Sequence, residues 1–99
     1  MPSVFLRRIK RNEYESLSLL FESEYGVKGE VREEGNSITI TGPEGIMSLS
    51  YIPHNPKYQK VGLARLVIDS DNVPQPLYSF LTSHGFEKVR HKKEDRRPF

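Results

Sequence analysis

The chain contains no cysteine and no tryptophan. Without cysteine there is no disulfide, no thiolate nucleophile and no cysteine-ligated zinc. No apolar run approaches the roughly 18 residues that a membrane-spanning helix needs. Arg7, Arg8, Lys10 and Arg11 occupy the stretch where a secretory signal would carry its apolar core. The expected setting is therefore intracellular and cytoplasmic, with no membrane partner. Catalytic signatures are missing as well. There is no G-x-S-x-G nucleophile elbow and no phosphate-loop pattern. His54, His84 and His91 are scattered, and none has a partner at metal-ligand spacing. Asp69-Ser70-Asp71-Asn72 offers oxygen ligands, but the glycine and glutamate of a calcium loop are not at their offsets. These four residues read as a turn and capping cluster ahead of Pro74, and no metal is expected.

Ninety-nine residues with 35% hydrophobic content bound one small globular domain. A domain of this size buries roughly 60–65% of its unfolded surface, enough for a single core. The domain is expected over residues 1–93, with 94–99 as a frayed basic tail. Net charge is only +2, but it is unevenly placed. Residues 1–11 carry four bases and no acid, and residues 88–99 carry six bases against two acids. Residues 12–87 hold five bases and eleven acids. If the two basic ends lie on adjacent strands, they form one cationic surface.

Period-two alternation predicts a strand over Ser3–Ile9, with Phe5, Arg7 and Ile9 on one side and Val4 and Leu6 on the other. Tyr14, Leu17, Leu20, Phe21 and Tyr25 recur at helical spacing, so residues 12–25 read as a helix. Asn12 with Glu15 would cap its start, and Gly26 would end it. Three strands follow, over Lys28–Glu33, Ser37–Thr41 and Ile46–Ile52, as an antiparallel meander with one dry face. Gly62–Ile68 fits a strand or a helix; the strand is preferred because Val67 and Ile68 run into a turn cluster. Leu77–His84 reads as a short helix with Gly85 just past its end, and Phe86–His91 as a last strand. The order β-α-β-β-β-β-α-β implies an α+β fold: two helices on a mixed, mostly antiparallel sheet of five to six strands.

Several of these pieces sit where one enzyme superfamily has its landmarks. Gln59, Gly62 and Ala64 fall in a Gln-x-x-Gly-x-Ala run, and Asp71-Asn72 leads through a helix to Gly85-Phe86-Glu87-Lys88-Val89. Together with the opening strand and helix, they resemble the GNAT superfamily of acyl-CoA-dependent N-acyltransferases. The resemblance implies a pyrophosphate-binding loop over Pro56–Ala64, acetyl-CoA as cofactor, and Gln59, Gly62, Ala64 and Asn72 as cofactor-binding residues. The chain departs from the family in three ways. It is shorter than the family's usual length. Only Arg65 to Asp71 separate Ala64 from Asn72, room for a strand or a helix but not both. The family's tyrosine acid falls at Leu81, which cannot protonate a thiolate, and Tyr78 is its nearest substitute.

Three functions follow as expectations. The first is a non-catalytic interaction protein that pairs with itself as a homodimer or with another protein, and that needs no cofactor. The second is nucleic-acid binding through Arg7, Arg8, Lys10 and Arg11 beside Lys88, Arg90, Lys92 and Lys93. The third is an acetyl-CoA-dependent N-acetyltransferase.

Overall fold

Alternation along extended chain writes most of this fold. The structure, a computed structural model, describes residues 2–31, 37–43, 45–55 and 57–89. In chain order the elements are β1 (Ser3–Lys10), α1 (Arg11–Glu24), β2 (Gly26–Val31), β3 (Ser37–Gly42), β4 (Gly45–Asn55), β5 (Tyr58–Ile68), α2 (Gln75–Ser83) and β6 (Glu87–Lys88). The α+β class and the element order are those expected. The strands form one six-stranded sheet in the order β2-β3-β4-β5-β1-β6. The sheet is not mixed among the described residues, because each of its five pairings is antiparallel. Strands β2 to β5 are joined as successive antiparallel neighbours, β1 lies beyond β5, and no parallel crossover is made.

Register decides which residues face the helices. β5 pairs with β1 through Ile68–Ser3, Leu66–Phe5, Ala64–Arg7 and Gly62–Ile9. On its other side β5 pairs with β4 through Ile68–Met47, Leu66–Leu49, Ala64–Tyr51 and Gly62–Pro53. β3 continues the same rows with Ile38 opposite Leu49 and Ile40 opposite Met47. Phe5, Ile9, Ile38, Ile40, Met47, Leu49, Tyr51, Ala64, Leu66 and Ile68 are all buried. Each fully buried Leu, Ile, Met or Phe among them stabilises the fold by about 1.5–3 kcal/mol.

Both helices cover this one face. α1 contributes buried Tyr14, Leu17 and Phe21, and α2 contributes Leu77 and Leu81. Edge-to-face rings join them: Phe21 meets Phe80 at 5.4 Å and Phe86 at 6.2 Å, and Tyr25 meets Phe80 at 5.7 Å. Such pairs contribute about 0.5–1.5 kcal/mol beyond their area. The Tyr14 hydroxyl donates to the Leu49 carbonyl at 3.0 Å, which pins α1 to β4.

The helix ends differ in part from the expected caps. α1 starts at Arg11, and the Lys10 N–H donates to the Glu13 carboxylate at 2.7 Å, so Asn12 and Glu15 are not the capping pair. α1 ends on Tyr25 in extended backbone, and Gly26 belongs to β2 without a positive φ. At the end of α2 the expected glycine stop is present. Gly85 has φ +90°, its N–H donates to the Thr82 carbonyl at 3.1 Å, and the Phe86 N–H donates to Leu81 at 3.0 Å. This is the paired-bond ending that a left-handed C′ glycine permits.

β4 and β5 are each eleven residues long. β4 runs past the expected Ile52 end through Pro53 and His54 to Asn55. Residues 58–61 extend β5 upstream of the expected Gly62 start. The ladder shifts register between Pro53 and Asn55, and Gly62 sits against that irregularity. A Cβ on Gly62 would collide with the Ile52 carbonyl oxygen and lie 2.9 Å from both Pro53 Cα and Tyr51 Cζ. Backbone cannot give way cheaply there. Gly62→Ala is expected to lose about 2 kcal/mol, or roughly 8–16 °C in Tm for a domain of this size. A thermal melt at the wild-type midpoint would show instead that the two strands separate without cost.

Candidate functional site

The sheet has two faces and the helices cover one. The other, here the bare face, carries the alternate residues of each strand. On β1 these are Val4, Leu6, Arg8 and Lys10; on β5 they are Val67, Arg65, Leu63 and Val61. β4 adds Ser48, Ser50 and Ile52, and β3 adds Ser37, Thr39 and Thr41. The Ser37 and Ser50 hydroxyls lie 3.4 Å apart across two of these strands. An antiparallel sheet with one solvated face ordinarily alternates apolar-in with polar-out. Here the outward set is partly apolar. Ile52 is 41% exposed and Val61 47%, while Leu6, Leu63 and Val67 are half-buried.

Cations and aliphatics interlock on this face. Arg8 lies opposite Leu63, and Leu6 lies opposite Arg65. Arg8 and Arg65 are therefore diagonal neighbours, both exposed, with Cβ atoms on the order of 7–8 Å apart. A recess of about 430 Å³ opens between Arg8, Ile52, His54, Val61 and Leu63. A second, of about 540 Å³, wraps the edge of β1 and is lined by Leu6, Arg7, Arg8, Leu63, Gly85 and Glu87. It lies alongside Arg7 and Arg8, beyond the Leu6–Glu87 pair at which the β1–β6 ladder stops.

The basic residues expected to act together are divided by the pleat. Arg8 and Lys10 reach the bare face. Arg7 lies on the helix side, with its Nε 3.3 Å from where a Gly85 Cβ would sit. Arg11 leads into α1, its guanidinium 5.6 Å from the Tyr14 ring centroid and 5.4 Å from that of Tyr51. β1 and β6 are neighbours, which was the condition for one cationic surface, but Lys88 pairs with Phe5 and so shares the helix-side face. The four N-terminal cations and Lys88 thus do not form one surface. Arg90, Lys92, Lys93 and the tail 94–99 lie outside the described residues. Arg65, unremarked in the sequence, completes the bare-face trio. Alternation over Val61-Leu63-Arg65-Val67 was the available signal, hidden while 62–68 could still be a helix.

The residues implied for a cofactor are also dispersed. Gln59, Gly62 and Ala64 lie on β5, the last two between β1 and β4, so no helix opens at this run. Its amides are committed to a ladder instead of converging on a phosphate. Gly62 is needed for strand packing, and Ala64 is fully buried under the helices. Asn72 lies beyond the far end of β5; from Gly62 to Ile68 alone is roughly 20 Å of extended chain. Its N–H donates to the Ser70 hydroxyl at 3.0 Å, in a local turn. Tyr78 projects from α2 with its ring 6.0 Å from Phe5, edge-on. Among the described residues no three His, Asp or Glu side chains converge as a metal site would require.

No protein-family model, curated protein or solved structure matches this chain. The site must therefore be judged on its own chemistry. Among the described residues no helix is long and apolar enough to cross a membrane.

Two tyrosines, Tyr51 in the core and Tyr25 packed against it, link the fold to pH. Burial raises the Tyr51 pKa above 10.0, partly opposed by the nearby Arg11 cation. Burial, then the Glu24 carboxylate, raises that of Tyr25. In the unfolded chain both ionise near pH 10. Above that pH the folded state holds more protons than the unfolded one, so stability falls as pH rises. The stabilisation is whole below about pH 10 and is lost on passing through the folded values. Urea midpoints should hold steady from these groups up to about pH 9 and decline beyond about 10. The decline should be shallower in Tyr25→Phe/Tyr51→Phe, and an equal decline in that variant would assign it to other groups.

Proposed function

We propose that this protein is a small interaction module whose working surface is the bare face of its sheet. The observation that carries this reading is the set of aliphatic side chains left exposed there, Ile52 and Val61 foremost, interleaved with Arg8 and Arg65. Aliphatic side chains left exposed together on one face mark a binding surface more often than they serve the free monomer. The dispersal of Gly62, Ala64, Asn72 and Tyr78 supports binding over acyl transfer, because transfer needs its groups within reach of one substrate. A homodimer through this face is one form such a module could take. Packed about a two-fold axis, however, the face would set its arginines against those of its copy.

If the face serves binding, its exposed aliphatics are dispensable for folding. Ile52→Thr and Val61→Thr should each change stability by less than about 1 kcal/mol. Leu66→Ala, on the covered face of the same strand pair, should cost about 2–5 kcal/mol. Ile52→Asp/Val61→Asp should fold and lose macromolecular binding, whereas Leu19→Asp on the outer side of α1 should keep it. The readouts are thermal unfolding, sedimentation for self-association and fluorescence anisotropy with labelled nucleic acid. Loss of binding in Leu19→Asp with retention in the sheet variant would place the working surface on the helices.

A further inference from the structure

We propose, building on the bare-face reading, that the occupant of this face is double-helical nucleic acid. Charge is the first ground. Arg8, Lys10 and Arg65 project from two neighbouring strands of the face, and Glu87 is the one described carboxylate at a bare-face position. Arg8 and Arg65 are diagonal neighbours of like sign, and each raises the energy of the other. A polyanion lying across both relieves that repulsion, whereas a second copy of the same face adds to it.

The second ground is what stands between the cations. Leu6, Leu63 and Val67 alternate with them, and Ser37, Thr39, Ser48 and Ser50 extend the face across β3 and β4. None of the described bare-face residues is aromatic; the rings of Phe5, Tyr51 and Phe86 are buried on the helix side. Proteins that hold single strands on a sheet stack bases on exposed aromatics. This face has no such platform. It offers cations for phosphates, hydroxyls for phosphate or sugar oxygens, and flat branched aliphatics for groove walls. Those are the groups by which strands lie against a duplex without unstacking every base. Duplex DNA and duplex RNA share the phosphate chemistry, and the experiment separates them.

The test is fluorescence anisotropy of labelled duplex DNA, duplex RNA and single-stranded DNA of mixed sequence, titrated with the full chain across a salt series. Duplex should bind more tightly than single strand. Each phosphate contact contributes about 0.9 to the slope of log K against log salt on B-DNA. Arg8→Gln/Arg65→Gln should therefore flatten the duplex DNA slope by about 1.8, which removes about 12-fold of the affinity change between roughly 50 and 200 mM salt. Lys88→Gln, on the helix-side face, should leave the slope unchanged. Leu63→Ala should weaken binding at every salt concentration and leave the slope alone. Absence of duplex binding at low salt, preference for the single strand, or a Lys88→Gln effect equal to that of the double variant would each overturn the proposal. Sedimentation keeps the two readings apart. A homodimer dissolved by Ile52→Asp/Val61→Asp, in a protein that binds no duplex, would retain the bare-face reading and reject nucleic acid.

Discussion

The register of β5 between β1 and β4 is the constraint on which everything else rests. The side-chain period of a strand is two, so a slip of one residue would turn Ala64, Leu66 and Ile68 out to solvent and bring Leu63, Arg65 and Val67 under the helices. Burying an arginine without a partner costs far more than any aliphatic gain at that position. The register is therefore specified from both sides. The aromatic cluster of α1 and α2 demands a dry row beneath it, and Arg8 and Arg65 demand water or an anion above. Gly62 is part of the same specification, because β4 and β5 approach too closely at the Pro53 irregularity for any side chain.

A two-layer fold of this size cannot finish its own surface. Two helices are enough to cover one face of a six-stranded sheet, and the described residues place no further element on the other. The other face could have been made wholly polar at little cost to stability. Instead it keeps Leu6, Ile52, Val61, Leu63 and Val67, which bury only part of their area in the monomer. Charged heads spaced among aliphatics keep the patch from being continuous, which restrains indiscriminate association. The same spacing makes it suited to a long, flat, anionic partner more than to a deep small-molecule site.

The likeness to acyltransferases illustrates how local spacing and tertiary placement separate. A Gln-x-x-Gly-x-Ala run can cradle a pyrophosphate only where it opens a helix with free amides. In this chain the run lies within an eleven-residue strand, and its Gly62 and Ala64 are paired with β1 on one side and β4 on the other. The closing segment fared differently. Gly85 ends α2 in left-handed backbone and leads to Phe86 and β6 as its sequence anticipated, because that ending depends only on neighbouring residues.

By itself the sequence determined the class, the element order and the sides of β1, β3 and β4, because alternation and helical spacing are local and strong there. It also determined the glycine stop after α2. What it left open was non-local. Glu13 reaching back to Lys10 displaced the expected cap, and the long β4–β5 pairing converted Pro53–Asn55 and Gln59–Val61 from loop into strand. The surface proposed for binding belongs wholly to this second category. Arg8 and Arg65 are 57 positions apart in the chain, and nothing near either one announces the other. Only antiparallel pairing of β1 with β5 makes them neighbours, and the pleat that unites them sends Arg7 and Lys88 to the opposite side.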